Sequence, residues 1–257
     1  MGEGCAYAMA TMAVVPTPTR QIFAYSGVLY PEPGGRDSFA LVEYALSLAG
    51  RREFPRVCYV PTAVGDAARA VEACTARFAQ HPAPVELTAL TLFTQPSVPD
   101  MRAHLLAQDV ILVEGGSVVN LMAVWRAHGL PPILRESWDR GVVLAGTSAG
   151  SLCWHTGGPT DSYRDALDPF TDGLALVPHS NGVHDDLPDQ PRRETYRRMV
   201  AEGLLPGGYA TEDGVGLHYV GTELHEAVSV LDGKRAWRVQ PDGGGHYTEE
   251  LITPRLI

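Results

Sequence analysis

The chain has 257 residues, 45% of them hydrophobic and 19% charged, which suits one large α/β domain and excludes a disordered polypeptide. A formal charge of −10 with no Lys/Arg cluster argues against a phosphate-backbone partner, so no nucleic acid is expected. The four cysteines, Cys5, Cys58, Cys74 and Cys153, have neither zinc-knuckle nor disulfide-framework spacing; this fits a reducing cytoplasm, and no metal site is expected.

Residues 1–20 read as a loose N-terminal extension, with a cleaved leader as the alternative, and residues 21–257 as one α/β domain. No stretch approaches the ~20 apolar residues of a membrane span, so no membrane partner is expected. Short apolar runs then alternate with amphipathic segments, the pattern of βα units feeding a parallel sheet. Strands are predicted at 21–25, 56–60, 84–90 and 109–113, the last almost wholly apolar and so buried on both faces. Helices are predicted at 38–49, capped by Asp37 or Ser38, and at 66–80, 99–107, 118–127 and 132–140. A strand at 142–145 runs straight into Gly146. From 154 to 190 the chain is rich in Gly, Pro, Asp and Asn and reads as loop with brief elements. A helix follows at 192–202, then short strands that include 215–220, 227–231 and 236–239.

The strand at 142–145 delivers Gly146-Thr147-Ser148-Ala149-Gly150. A serine hydroxyl becomes a useful nucleophile only when a tight strand-to-helix turn projects it toward a base, and such a turn needs small neighbours. The bland alternative is an ordinary strand-end loop, because G-x-S-x-G also occurs by chance. Gly115-Gly116 ends another buried strand, and parallel strands open on one edge. The N–H groups of Gly116 and Ala149 could therefore converge as an oxyanion hole.

A strand ending in Gly115-Gly116 before Val118-Val119-Asn120-Leu121, a strand entering Gly-Thr-Ser-Ala-Gly, and Pro178-His179 resemble the dipeptidase E (aspartyl dipeptidase) family of serine peptidases, to which cyanophycinase is related. The likeness runs from about Gln21 to Leu231. It implies a mostly parallel central sheet between helices, like class I glutamine amidotransferases (flavodoxin-like), with short C-terminal strands. It further implies a Ser-His-Glu triad, a short peptide substrate, no cofactor and a homodimer or monomer. Carried over by position, the nucleophile falls on Ser148, the base on His179, the oxyanion donors on Gly116 and Ala149, and the triad glutamate on Glu212. A functionally important aspartate falls on Asp161. The arginine that the aspartyl enzymes set against an acidic N-terminal side chain falls on Arg193 or, failing that, Arg192. Three departures stand out: the family Gly-Gly-Asn is Gly115-Gly116-Ser117, Glu114 occupies a position where small residues are usual, and His184-Asp185-Asp186 crowds acidic groups beside the proposed pocket.

The residues themselves leave the partners open. Among nine histidines, His179 is favoured by its fixed approach after Pro178 in the loop-rich stretch, with His184 and His155 as rivals. Glu212, Asp213 and Asp161 could each orient the base, Glu212 being preferred. Arg192 and Arg193 begin a helix that also carries Arg197 and Arg198, so a solvated basic face competes with substrate recognition. Two other functions share these residues: an esterase of the α/β-hydrolase type using Ser148, Asp161 and His179 in that chain order, and a binding module without catalysis.

Overall fold

The computed structural model describes residues 18–29, 38–50 and 53–257. The candidate cap Asp37, Cys5 and most of the N-terminal extension lie outside these residues. Five parallel strands form the centre: β1 (Gln21–Tyr25), β2 (Arg56–Val60), β3 (Glu86–Ala89), β4 (Val110–Val113) and β5 (Val143–Thr147). The helices between them are α1 (Phe39–Leu48), α2 (Ala68–Phe78), α3 (Met101–Leu106), α4 (Val118–Ala127) and α5 (Leu130–Asp139). After β5 come α6 (Ala149–Leu152), the short strands β6 (Gly158–Thr160), β7 (Asp168–Phe170) and β8 (Ser180–Gly182), then α7 (Arg192–Ala201). The C-terminal strands are β9 (Gly208–Thr211), β10 (Val215–Val220), β11 (Glu223–Ser229), β12 (Ala236–Pro241), β13 (Tyr247–Ile252) and β14 (Arg255–Leu256).

The main sheet has the order β14-β11-β10-β1-β5-β4-β2-β3, with β10 antiparallel to both β1 and β11, and β14 parallel to β11. A second sheet runs β13-β12-β9-β8, and β6 pairs with β7. Strand alternation divides the core. On β4, Val110 and Leu112 join Phe23, Tyr59 and Leu41 on the face covered by α1 and α2. Ile111 and Val113 join Leu121, Trp125 and Trp138 on the other face. Both sides of β4 are therefore dry, as its continuous apolar sequence predicts. Tyr196, Met199 and Trp237 form a third cluster between α7 and the second sheet.

Local signals set the helix starts around the sheet edge. Asp100 accepts the Ala103 N–H at 2.9 Å to cap α3, and Ser117 accepts that of Asn120 at 3.2 Å to cap α4. Ser38 caps nothing with its side chain; its hydroxyl instead accepts the Val28 N–H at 2.7 Å and ties the loop after β1 to α1. The loops after β1, β4 and β5 all leave from the C-terminal edge of the parallel strands, where α/β folds place their chemistry. Among the described residues no helix is long and apolar enough to cross a membrane.

Candidate active site

Ser148 occupies the bend between β5 and α6 with φ 51° and ψ −110°, a conformation that L residues rarely adopt. The surroundings hold it there. Its N–H donates to the Tyr25 carbonyl at 2.9 Å, and its carbonyl accepts from Ser151 and Leu152, both at 2.9 Å. A Cβ on Gly146 would lie 2.2 Å from the Gly150 carbonyl oxygen, and one on Gly150 would lie 2.4 Å from that of Val113. Backbone packs on backbone at both points, so only glycine fits on either side of the serine.

Ser148 Oγ is hydrogen-bonded to His184, whose Nε2 lies 3.0 Å away. His184 Nδ1 meets Asp213 Oδ1 at 2.5 Å. A carboxylate can only accept, so Nδ1 carries the proton and Nε2 is left to accept the serine hydroxyl. His184 is 2% exposed and has φ 58°, and its N–H donates to Ser26 Oγ at 3.0 Å. Ser26, just past β1, is tied in turn to Thr211, its hydroxyl 2.7 Å from the Thr211 hydroxyl. Asp213 is held as firmly: Oδ2 accepts the Leu29 N–H at 3.0 Å, and its own N–H donates to Asp186 Oδ1 at 2.8 Å. Asp186 is paired with Lys234 at 2.5 Å.

These contacts redraw the sequence assignment of base and acid. His179 does not reach Ser148: its ring stands edge-on to Tyr209 with centroids 5.5 Å apart, and burial lowers its pKa. Pro178 fixes the backbone of His179, but the chain must run on to the turn at His184 before an imidazole comes back over β5. Glu212 does not reach the imidazole either; its carboxylate accepts the Arg235 N–H at 2.9 Å. In the turn between β9 and β10, the aspartate immediately before Gly214 faces His184 and the glutamate beside it turns to Arg235. His155, the third histidine weighed, is buried between the Ser151 carbonyl (2.9 Å) and the Tyr219 hydroxyl (3.1 Å).

Asp161 is exposed, accepting from Gln190 at 3.1 Å and Arg192 at 3.3 Å. It therefore links the loop after β6 to the start of α7 instead of touching His184. Arg192 is buried and its pKa lowered by desolvation, against the attraction of Asp161 and Asp213. Arg193 stacks over the Trp237 ring, its guanidinium carbon 4.0 Å from the centroid, with Nε 3.7 Å from Asp185. Ser26 and Lys234 carried no sequence signal, and Asp186 was visible only as part of the acidic run that follows His184.

Gly116 lies beside the serine with φ 131°, and a Cβ there would fall 2.4 Å from the Ala63 carbonyl oxygen. That carbonyl accepts the Ser117 N–H at 2.9 Å, pinning the loop against the 3₁₀ turn Thr62–Val64. Among the described residues, the N–H groups of Gly116 and Ala149 have no protein acceptor. Ser148, His184, Gly115 and Gly116 line a cavity of about 620 Å³ that opens between the sheet edge, α1 and α2.

The model of peptidase family S51 matches residues 33–227. The uncharacterized peptidase YgaJ of Bacillus subtilis (strain 168) is 36% identical over 226 residues, covering 86% of this chain and 92% of that protein. The fold is similar to the crystal structure of a peptidase from an acI-B1 Actinobacterium, with TM-score 0.63, 15% identity, and 92% of this chain and 95% of that one covered. A peptidase E-like protein of Listeria monocytogenes EGD-e gives TM-score 0.59 and 19% identity over 83% of this chain and 100% of its own. The chain thus belongs to peptidase family S51, the dipeptidase E family that its serine turn resembles.

Proposed function

We propose that this peptidase hydrolyses short peptides through an acyl-enzyme on Ser148, with His184 as general base and acid and Asp213 as the orienting carboxylate. The observation that carries the reading is the 3.0 Å contact between His184 Nε2 and Ser148 Oγ, backed by the 2.5 Å contact to Asp213. Ser148 Oγ bonds to the scissile carbonyl carbon as its proton passes to Nε2, and Asp213 stabilises the imidazolium. The N–H groups of Gly116 and Ala149 receive the oxyanion, each contributing ~3 kcal/mol to the transition state. Collapse breaks the C–N bond, and His184 gives its proton to the departing amine. Water then attacks the ester with His184 as base, restoring the serine.

The chain order Ser148, His184, Asp213 departs from the Ser-acid-His order of α/β-hydrolase esterases, which favours the peptidase reading over the esterase. Recognition of an acidic N-terminal residue through Arg192 or Arg193 has less support, because Asp161 and Asp185 already engage them and neither lines the cavity. Replacing Ser148 with Ala is expected to abolish dipeptide hydrolysis while leaving the melting temperature within a few degrees of the parent. Full turnover in that variant would remove the proposal.

A further inference from the structure

Beside the nucleophile, the cavity carries a charge that the hydrolytic steps do not use. Glu114 follows β4 and continues its alternation, so it shares the face of Val110 and Leu112 toward α1 and α2. Tyr59 donates its hydroxyl to one carboxylate oxygen, and the Gly115 N–H donates to the other at 2.9 Å. These bonds fix the group at the cavity wall, one residue before the glycine pair that flanks Ser148. Each oxygen keeps a lone pair for a further donor. Among the described residues lining the cavity, Glu114 is the sole carboxylate, set among Tyr25, Tyr59, Phe39, Val42 and Phe78. The charge reaches its neighbours: burial and Glu114 together push the Tyr25 and Tyr59 phenols well above their ordinary range.

We propose that this cavity receives a cationic side chain, lysine or arginine, from the residue on the acyl side of the scissile bond, with Glu114 as its counter-charge. The idea rests on Ser148 being the nucleophile, because that places the acyl-side residue at this cavity. A carboxylate against apolar walls is costly to leave unpaired, and a substrate ammonium or guanidinium supplies the missing partner. The methylene stem of such a side chain covers the aromatic walls on the way in. An acidic side chain would instead bring like charge against Glu114. Arg77 also lines the cavity, but it is exposed on α2 and its guanidinium is engaged over the Phe39 ring, 4.7 Å from the centroid.

The test separates charge selectivity from turnover. Binding of lysine amide, norleucine amide and aspartate amide is measured by calorimetry on the Ser148→Ala protein, which cannot consume them. Lysine and norleucine amides have similar stems and differ in the terminal charge. Lysine amide is expected to bind roughly tenfold to a hundredfold tighter than norleucine amide. Adding Glu114→Gln should collapse that ratio toward one. Equal affinities, or a preference for aspartate amide, in the Ser148→Ala protein would overturn the proposal even if the Glu114 variant failed to fold. An unchanged ratio in a folded Glu114→Gln protein would overturn it as well. Fluorophosphonate labelling of the parent at Ser148 tests the nucleophile separately, so failure of the selectivity and failure of the mechanism remain distinguishable.

Discussion

Changing Asp213 to Asn removes one charge without changing the side chain's size, and the structure dictates how the amide would settle. Oδ2 of Asp213 accepts the Leu29 N–H at 3.0 Å, so the amide oxygen would keep that bond and the NH₂ group would turn to His184. Nδ1 must then accept, the ring proton moves to Nε2, and the nitrogen 3.0 Å from Ser148 Oγ can no longer take the serine proton. Loss of the correct tautomer in a serine triad lowers kcat about 10⁴-fold, equivalent to ~5.5 kcal/mol of transition-state stabilisation. Glu212→Gln is the control. Its carboxylate bonds the Arg235 N–H at 2.9 Å, which a glutamine oxygen can still do, so kcat should stay within about threefold and stability within ~1 kcal/mol. Steady-state kinetics on one dipeptide, with thermal melts to establish folding, compares the two variants. Near-normal turnover in Asp213→Asn together with collapse in Glu212→Gln would refute the assignment.

Two further outcomes follow from the same contacts. Gly150→Ala would drive a methyl to 2.4 Å from the Val113 carbonyl, which is backbone and cannot swing aside; a loss of about 3 kcal/mol is expected in urea unfolding, and an unchanged midpoint would contradict the packing argument. His155 and His218 are both buried, and desolvation lowers each pKa from 6.5 to about 4. The unfolded chain binds protons at these sites first, so stability is fully present above about pH 6.5 and falls as pH drops toward 4, by on the order of 3 kcal/mol for His155 and by less for His218, which packs against the exposed His225 near the surface. Urea titrations at pH 7 and pH 4.5 should show the fall, and His155→Gln should make it shallower; an equal slope in that variant would contradict the linkage.

The parallel half of the fold was legible because each βα unit writes its own period, the apolar run of β4 above all; the caps Asp100 and Ser117 are local signals that went unread, while Ser38, which was singled out, caps nothing with its side chain. The later strands are less so. The strand β13 (YTEELI) is exposed along its length and lacks the alternation that marks a half-buried strand, so only pairing with β12 defines it. The serine turn was readable for a local reason, since Gly146 and Gly150 sit within a few residues of Ser148 and are demanded by backbone contacts. The base was not. His184 comes over Ser148 by way of a left-handed turn at a non-glycine residue, stabilised by Ser26 just past β1, 158 positions away in sequence. No local pattern encodes such a contact, whereas Pro178-His179 offers a tempting one. Asp213 had one usable cue: it stands immediately before Gly214, whose φ of 81° turns the chain into β10.

In the proposed mechanism one hydroxyl in this chain is activated by one imidazole. Mass-spectrometric mapping of the site labelled by a fluorophosphonate tests it most directly, comparing the parent with His184→Ala and His179→Ala. A single adduct is expected on Ser148, formed at the parent rate in His179→Ala and orders of magnitude more slowly in His184→Ala. An adduct on another serine, or labelling that depends on His179 and not on His184, would contradict it.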